Sequence, residues 1–352
     1  MATIRLNGRT VEAGEGQTVL EAARAHGVYI PSLCFHPKTG QSASCRVCAV
    51  EVEGARGLVM SCNTAVWDGM VVHTETEPVL QARRAIVDLL LSEGIHDCLA
   101  CEMCGQCELQ EAAYRLGIEK PSERRELPPQ PPDISHPMIV RNPDRCILCN
   151  RCVKACNDVV VNGVLDVAFR GHRSMIVADQ DAPLGRSSCV GCGECVQLCP
   201  TGALIEKKSV GTGRAWELEK VRTTCPYCGV GCQVNLHVDR ARNRVVRVTG
   251  AQGIPPNDGM LCVKGRFGYD FPSNPKRLTR PLIRRDGRHE PVSWEEALDY
   301  TAAQLRRIRD AHGPDSISAI SSSRDDNENS YAAQKFMRAA IGTNNIDNCA
   351  RT

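Results

Sequence analysis

Apolar and polar positions alternate along "TIRLNGRTVEA", residues 3 to 13, on either side of Asn7-Gly8. Period-two alternation around that dipeptide predicts a β-hairpin closed by a tight turn. The period then becomes helical. Thr18 opens a helix, Glu21 completes a capping box, and Gly27 ends it. A second helical stretch, "PVLQARRAIVDLLLSEG", carries Pro78 in its first turn and stops at Gly94. A third keeps Leu109, Ala112, Ala113 and Leu116 at helical spacing. "PSERRELPPQPPDISHP", residues 121 to 137, is proline-rich and predicts a linker. After "CPYCGVGC", Val234, Leu236 and Val238 alternate and predict a β-rich unit. Further on, Ser293 and Glu296 cap a helix, "SISAIS" predicts a strand, and "NSYAAQKFMRAAIG" predicts another helix. Those last elements begin an α/β layer.

Composition changes what can hold these elements together. With 352 residues there is room for two or three domains, yet only 3 Trp, 6 Tyr and 5 Phe to build their cores. Cysteine is the outlier, at 21 residues. Thin cores need another source of stability, and disulfides or metal centres are the usual ones. The charge is nearly balanced, 43 Lys+Arg against 41 Asp+Glu, so nothing points to nucleic acid or an acidic membrane surface. The start "MATIRLNGRT" has no apolar run behind a basic head, and the most apolar stretch is split by Arg83-Arg84. A cytoplasmic protein without membrane insertion is expected. In that reducing compartment, clustered cysteines read as metal ligands before disulfides.

The strongest signal is a repeat. "CILCNRCVKAC" and "CVGCGECVQLCP" both follow C-x2-C-x2-C-x3-C, the spacing of a protein holding two [4Fe-4S] clusters. In that pattern the fourth cysteine of each run serves the other cluster. The expected sets are Cys146, Cys149, Cys152 and Cys199 for one, and Cys189, Cys192, Cys195 and Cys156 for the other. The bland alternative is a pair of structural zinc sites, which favour paired C-x2-C knuckles.

Three further groups carry resemblances. Cys34, Cys45, Cys48 and Cys62, with "CRVCAVEVEG", resemble the [2Fe-2S] domain that opens the large iron–sulfur subunit of respiratory NADH dehydrogenase and of related hydrogenases. "HDCLACEMCGQC" resembles the next module of those proteins, where a histidine and three cysteines bind one [4Fe-4S] cluster. Cys98, Cys101 and Cys107 fit that set. At the family's histidine position this chain has Gly94, His96 sits two residues closer, and Cys104 is an additional thiol, so the fourth ligand is Cys104 or His96. Cys225, Cys228, Cys232 and Cys262, followed by Lys264-Gly265, resemble the [4Fe-4S] subdomain that opens molybdenum and tungsten bis-pterin oxidoreductases. That resemblance places Lys264 between cluster and pterin, on the electron path and in contact with the cofactor. These groups use all cysteines but Cys349, which reads as a small buried residue. His36, His73 and His237 have no partner in the pattern and read as structural or exposed.

Taken whole, the chain resembles the N-terminal part of the α, catalytic, subunit of cytoplasmic NAD-linked molybdenum or tungsten formate dehydrogenases. The resemblance rests on the order of the modules and on the tail "NENSYAAQKFMRAAIGTNNIDNCART". It implies an α+β multi-domain chain. Residues 1–78 form a β-grasp [2Fe-2S] ferredoxin domain, 79–119 a small helical [4Fe-4S] domain and 120–137 the linker. Residues 138–209 form a bacterial-type 2[4Fe-4S] ferredoxin domain, 218–274 the bis-pterin-type [4Fe-4S] subdomain and 275–352 the start of the pterin α/β domain. It implies one [2Fe-2S] and four [4Fe-4S] clusters, a molybdenum or tungsten bis-molybdopterin guanine dinucleotide in the full-length enzyme, and flavin- and NAD-binding diaphorase partner subunits. In the family a similar tail leads directly into the active-site cysteine or selenocysteine and a histidine. No catalytic residue is therefore expected before Thr352, and a UGA selenocysteine codon read as stop would end a chain there. The competing expectation is a non-catalytic electron-transfer subunit of a hydrogenase or NADH dehydrogenase assembly. A zinc-rich scaffold is the third.

Overall fold

The computed structural model describes residues 1–123 and 128–349. Part of the expected linker (124–127) and the last three residues of the tail lie outside them. The chain forms two compact units. One comprises residues 1–221, 236–249 and 261–266; the other comprises 222–235, 250–260 and 267–352.

In the first unit, β1 (Ala2–Leu6) and β2 (Arg9–Ala13) pair antiparallel from Ala2↔Ala13 to Leu6↔Arg9. Asn7 (φ 49°) and Gly8 (φ +81°) take the two left-handed positions that a two-residue hairpin requires. Helix α1 (Val19–Ala25) starts where the capping box places it: the Glu21 amide donates to Thr18 Oγ1 at 3.3 Å, and the Thr18 amide donates to the Glu21 carboxylate at 2.9 Å. Strands β3 (Ala49–Val52), β4 (Val59–Met60) and β5 (Val71–His73) complete a five-stranded sheet in the order β2-β1-β5-β3-β4. β5 runs parallel to β1, the long-range pairing of a β-grasp. Val19, Leu20, Ala22 and Ala23 of α1 close its core over Ile4, Leu6, Val50 and Val72.

Helix α2 (Glu77–Glu93) ends at Gly94 with extended backbone, φ −122°. Glycine is needed there for space, because a Cβ would stand 2.4 Å from the Asp144 carbonyl oxygen. Helix α3 (Glu108–Arg115) buries Leu109, Ala112 and Ala113. Strands β6 (Ile139–Arg141), β7 (Leu165–Ala168) and β8 (Met175–Ala178) flank two short helices, α4 (Arg151–Lys154) and α5 (Glu194–Leu198). β7 pairs with β8, and β6 pairs with β9 (Leu204–Glu206). The two cysteine runs repeat in backbone as well as spacing. Leu148 and Asn150 of the first run have φ 49° and 63°; Gly191 and Gly193, at the same places in the second, have φ 66° and 73°.

Residues 219 to 250 form a three-stranded sheet of β10 (Glu219–Thr224), β11 (Gln233–Asp239) and β12 (Arg244–Gly250). The alternation expected in β11 is only partly kept. Val234 is buried, but so is His237 on the other face, while Leu236 and Val238 are half-buried. The reason is that the Thr249 hydroxyl, 3.0 Å from His237 Nε2, satisfies the imidazole inside.

Helix α6 (Val263–Phe267) follows Cys262. In the second unit, β13 (Leu282–Arg285) and β14 (Arg288–Pro291) form a hairpin, and Ser293 Oγ caps α7 (Trp294–His312) by accepting from the Glu296 amide at 3.1 Å. Strand β15 (Ala319–Ser321), helix α8 (Asn327–Lys335) and strand β16 (Ile346–Asn348) make a β-α-β step with parallel strands. Among the described residues, no helix is long and apolar enough to cross a membrane.

Candidate metal centres

The loop from Cys34 to Cys48 is wound by left-handed turns at Ala43 (φ 50°) and Arg46 (φ 60°). It aims backbone amides of Ser44, Cys45 and Val47 at sulfur. Cys34, Cys45, Cys48 and Cys62 are all buried. Their thiols meet: Cys34 with Cys45 and Cys62, and Cys48 with Cys62. Hydrogen bonds from Cys45 and Cys62 hold Cys34 far below the ordinary thiol range. The contact with Cys62 lowers Cys48 to about 7. The same contacts push Cys45 and Cys62 up. The Arg83 guanidinium is buried nearby and donates twice to the Ala49 carbonyl, at 3.1 and 2.7 Å.

His96, Cys98, Cys101, Cys104 and Cys107 all line one small cavity with Gln110, Arg145, Thr201 and Gly202. Gln110 Nε2 donates to Cys104 Sγ at 3.4 Å, and Gln110 Oε1 accepts from the Gly105 amide at 2.8 Å. His96 Nε2 lies 3.1 Å from the Leu90 carbonyl, and burial lowers its pKa, so the ring is held neutral with Nδ1 left over. Burial pushes Cys107 up to about 12 and raises Cys98 and Cys101 as well.

Cys146, Cys149, Cys152 and Cys199 line a second cavity, of about 390 Å³. Burial raises Cys146 to about 11 and Cys149 to about 12, with the charge of Cys199 adding to both. Burial raises Cys152 as well, and the charges of Cys149 and Cys199 add to it. In the second run, burial and then the charges of Cys192, Cys189 and Cys156 raise Cys195. Each run thus meets the last cysteine of the other. Each also turns an amide onto its first sulfur: Leu148 N to Cys146 Sγ and Gly191 N to Cys189 Sγ, both 3.4 Å.

Cys225, Cys228 and Cys232 lie in one turn of the second unit, closed by the Cys225 amide on the Cys232 carbonyl at 2.8 Å. Cys262 belongs to the first unit and is exposed, as is Lys264 on α6. Cys349, expected as a small buried residue, is exposed just after β16, where its amide donates to the Ser321 carbonyl at 3.1 Å and its sulfur to Ser322 Oγ at 3.6 Å. The three histidines do have partners. His73 pairs with Glu53 at 3.0 Å, His36 Nδ1 accepts from the Lys38 amide at 3.2 Å, and His237 holds Thr249.

These donors suit iron–sulfur clusters. Thiols packed against one another, and amides turned onto sulfur, match a centre that takes several thiolates and accepts hydrogen bonds at sulfur. Among the described residues, Thr39 Oγ1 and Ser42 Oγ in the first loop, and Asn150 Oδ1 and Arg151 Nε in the first run, are buried with no protein partner. Such groups beside a thiol cluster are expected where a further acceptor or donor belongs. Among the described residues, no three His, Cys, Asp or Glu side chains are grouped to hold a single metal ion. Sequence reasoning missed the buried charges around these sites: Arg151, Glu194, Lys38 and Arg266. Arg151 and Glu194 could have been noticed as charges inside the spacers of buried cysteine runs.

Comparison with known families divides the chain in the same order. Residues 1–77 match the 2Fe-2S iron-sulfur cluster binding domain, 83–122 the NADH-ubiquinone oxidoreductase-G iron-sulfur binding region, and 145–203 the 4Fe-4S dicluster domain. Residues 218–274 match the molybdopterin oxidoreductase Fe4S4 domain, and 277–352 molybdopterin oxidoreductase itself. The chain is 38% identical over 352 residues to NADPH-Fe(3+) oxidoreductase subunit alpha of Geobacter sulfurreducens, covering 100% of this chain and 40% of that one. It is 38% identical over 356 residues to an NADH-quinone oxidoreductase subunit of Rhizobium meliloti, with coverage of 100% and 40%. A Staphylococcus haemolyticus protein named "Putative formate dehydrogenase" is 31% identical over 388 residues, 99% of this chain and 39% of that one. The chain therefore spans about 40% of the length of the curated relatives it matches. Among solved structures, a chain of an NAD+-reducing [NiFe]-hydrogenase superposes with a TM-score of 0.57 at 36% identity, over 60% of this chain and 90% of that one. In order along the chain, then, 2Fe-2S and 4Fe-4S cluster-binding segments, one of them matching the NADH-ubiquinone oxidoreductase-G iron-sulfur binding region, precede segments that match the molybdopterin oxidoreductase Fe4S4 domain and molybdopterin oxidoreductase.

Proposed function

We propose that this chain is the iron–sulfur electron-transfer portion of a formate dehydrogenase α subunit, cytoplasmic and coupled to NAD through a partner flavin subunit. The observation that carries this reading is the fourth cysteine group with Lys264, followed by a molybdopterin oxidoreductase region. A chain that only conducts electrons needs neither. A relative whose name includes formate dehydrogenase supports the choice of substrate.

The proposed ligand sets are Cys34, Cys45, Cys48 and Cys62 for one [2Fe-2S] cluster, and four sets for [4Fe-4S] clusters. Those four are Cys98, Cys101, Cys107 with Cys104 or His96; Cys146, Cys149, Cys152, Cys199; Cys189, Cys192, Cys195, Cys156; and Cys225, Cys228, Cys232, Cys262. When bound, such clusters supply one-electron carriers, and a bis-molybdopterin guanine dinucleotide holding molybdenum or tungsten supplies the two-electron chemistry of formate oxidation to CO2. The chain's own part is to hold thiolates at fixed places and turn amides onto their sulfurs. Lys264 is proposed to lie on the electron path beside the pterin.

A second reading is supported to a comparable degree by the Rhizobium relative and by the hydrogenase structure: a non-catalytic electron-transfer subunit of an NADH dehydrogenase or hydrogenase assembly. The full-length protein, purified anaerobically with its partners, separates the two. Formate-dependent dye reduction supports the first reading. Dye reduction with NADH or H2 but none with formate replaces it by the second. A colourless, zinc-loaded protein, in place of about 18 iron atoms per chain, would sink both.

A further inference from the structure

Glu194 lies between Cys192 and Cys195, at the first position of α5, and is 2% exposed. A carboxylate so deep is costly unless cations meet it. Two do, each from far along the chain. Lys38 Nζ, from the loop after Cys34, stands 3.1 Å from Glu194 Oε1, and Arg266 Nη2, from α6, stands 2.8 Å from Oε2. Arg266 is also 2% exposed, and its whole fork is directed at one stretch of chain. Besides Glu194, its Nε donates to the Cys192 carbonyl at 2.8 Å and its Nη1 to Gln197 Oε1 at 2.5 Å. A positive charge is thereby fixed against the backbone of a candidate ligand.

The first cysteine run carries the same device with the signs exchanged. Arg151 holds the place between Cys149 and Cys152 that Glu194 holds between Cys192 and Cys195. It is 2% exposed and is met by a distant carboxylate, Glu108, through bonds of 2.6 and 2.7 Å. In the first run the arginine is built in and the carboxylate comes from outside; in the second the reverse is true.

We infer that Arg266 and Glu194 form a tuning pair for the site of Cys189, Cys192, Cys195 and Cys156, setting how readily an electron is held there, and that Arg151 with Glu108 serves the sibling site. This rests on the ligand sets proposed above. An added electron brings negative charge into a poorly solvated interior, where nearby charges act with little screening. A neighbouring cation favours that charge and a neighbouring carboxylate opposes it. Potentials of iron–sulfur centres follow net charge, hydrogen bonding and exposure. Arg266 therefore acts as a positioning residue through the Cys192 carbonyl and as a charge through space, and the two roles can be separated, since lysine keeps the charge and loses the fork.

The test is a redox titration of the full-length, cluster-loaded protein, followed by electron paramagnetic resonance. The relevant signal is the one lost in Cys192→Ala. Its midpoint potential should fall in Arg266→Met, stay near the parent value in Arg266→Lys, and rise in Glu194→Gln, with the other signals unmoved. Shifts of the same direction in Arg266→Met and Glu194→Gln would overturn the inference. So would a shift in Arg266→Lys as large as in Arg266→Met, which would leave the arginine a structural brace only. Should Arg266→Met lack the signal altogether, the absence of a rise in Glu194→Gln overturns it instead. The ligand reading fails by a different sign: Cys192→Ala would then leave iron content and every signal unchanged.

Discussion

Gly202 abuts the sulfur of Cys101: a Cβ built on Gly202 would stand 2.5 Å from Cys101 Sγ. The two residues belong to different cysteine groups, since Gly202 follows Cys199 by three residues. A free thiol could swing away from an added methyl at small cost. A thiolate tied to a cluster cannot, because its rotamer is fixed by the metal. Gly202→Ala should therefore lower iron content by about four atoms per chain and cost on the order of 1–3 kcal/mol of stability from overpacking. Iron analysis against protein concentration checks it. Full iron content would mean that Cys101 is not a ligand.

The fourth ligand beside Cys98, Cys101 and Cys107 can be assigned by two variants. Cys104 Sγ accepts a hydrogen bond from Gln110, as a ligating thiolate does. His96 gives its Nε2 to the Leu90 carbonyl and has Nδ1 left over, which also suits a ligand. Thiolate is the commoner ligand of such clusters, so Cys104→Ala should lose about four iron atoms while His96→Ala keeps them. The opposite result assigns His96, and equal loss from both excludes either simple choice.

The features legible in the sequence were local ones. Asn7-Gly8 sets its own hairpin and Thr18 with Glu21 its own helix start, because the interacting groups lie within three residues of one another. The repeat of the two cysteine runs was legible for the same reason, as a spacing, but the left-handed turns they share at Leu148 and Gly191 were not. Arg151–Glu108, Lys38–Glu194 and Arg266–Glu194 join residues 43, 156 and 72 positions apart, and no short-range period encodes such pairs. β11 misled in another way. Its apolar alternation is real, yet a histidine takes an inward place because a threonine on the next strand satisfies it.

Loss of iron should not unfold the first unit evenly. The β-grasp sheet and α1 have an aliphatic core of their own, built from Ile4, Leu6, Val19, Leu20, Val50 and Val72. Residues 98–107 and 146–160 have chiefly cysteines to bury, so their folding is coupled to what those thiols bind. After anaerobic chelation, hydrogen exchange should rise strongly in 98–107 and 146–160 and remain slow in β1, β2 and α1. Equal exchange rates throughout would contradict this account.

His237 gives a pH dependence whose sign can be worked out. It is 8% exposed, and burial, with the charges of Arg247 and Lys220 adding, lowers its pKa to about 3. The folded state then holds the imidazole neutral while the unfolded chain takes a proton near its ordinary value of about 6.5. Below that value the unfolded state binds more protons, so stability falls as pH drops from about 6.5 towards 3. The loss should reach roughly 1 kcal/mol by pH 5.5. His237→Asn removes the titrating group and retains a polar side chain within reach of Thr249. Urea midpoints measured between pH 7.5 and 5.5 should drift less in His237→Asn than in the parent. An unchanged drift would mean that the imidazole protonates without leaving the fold.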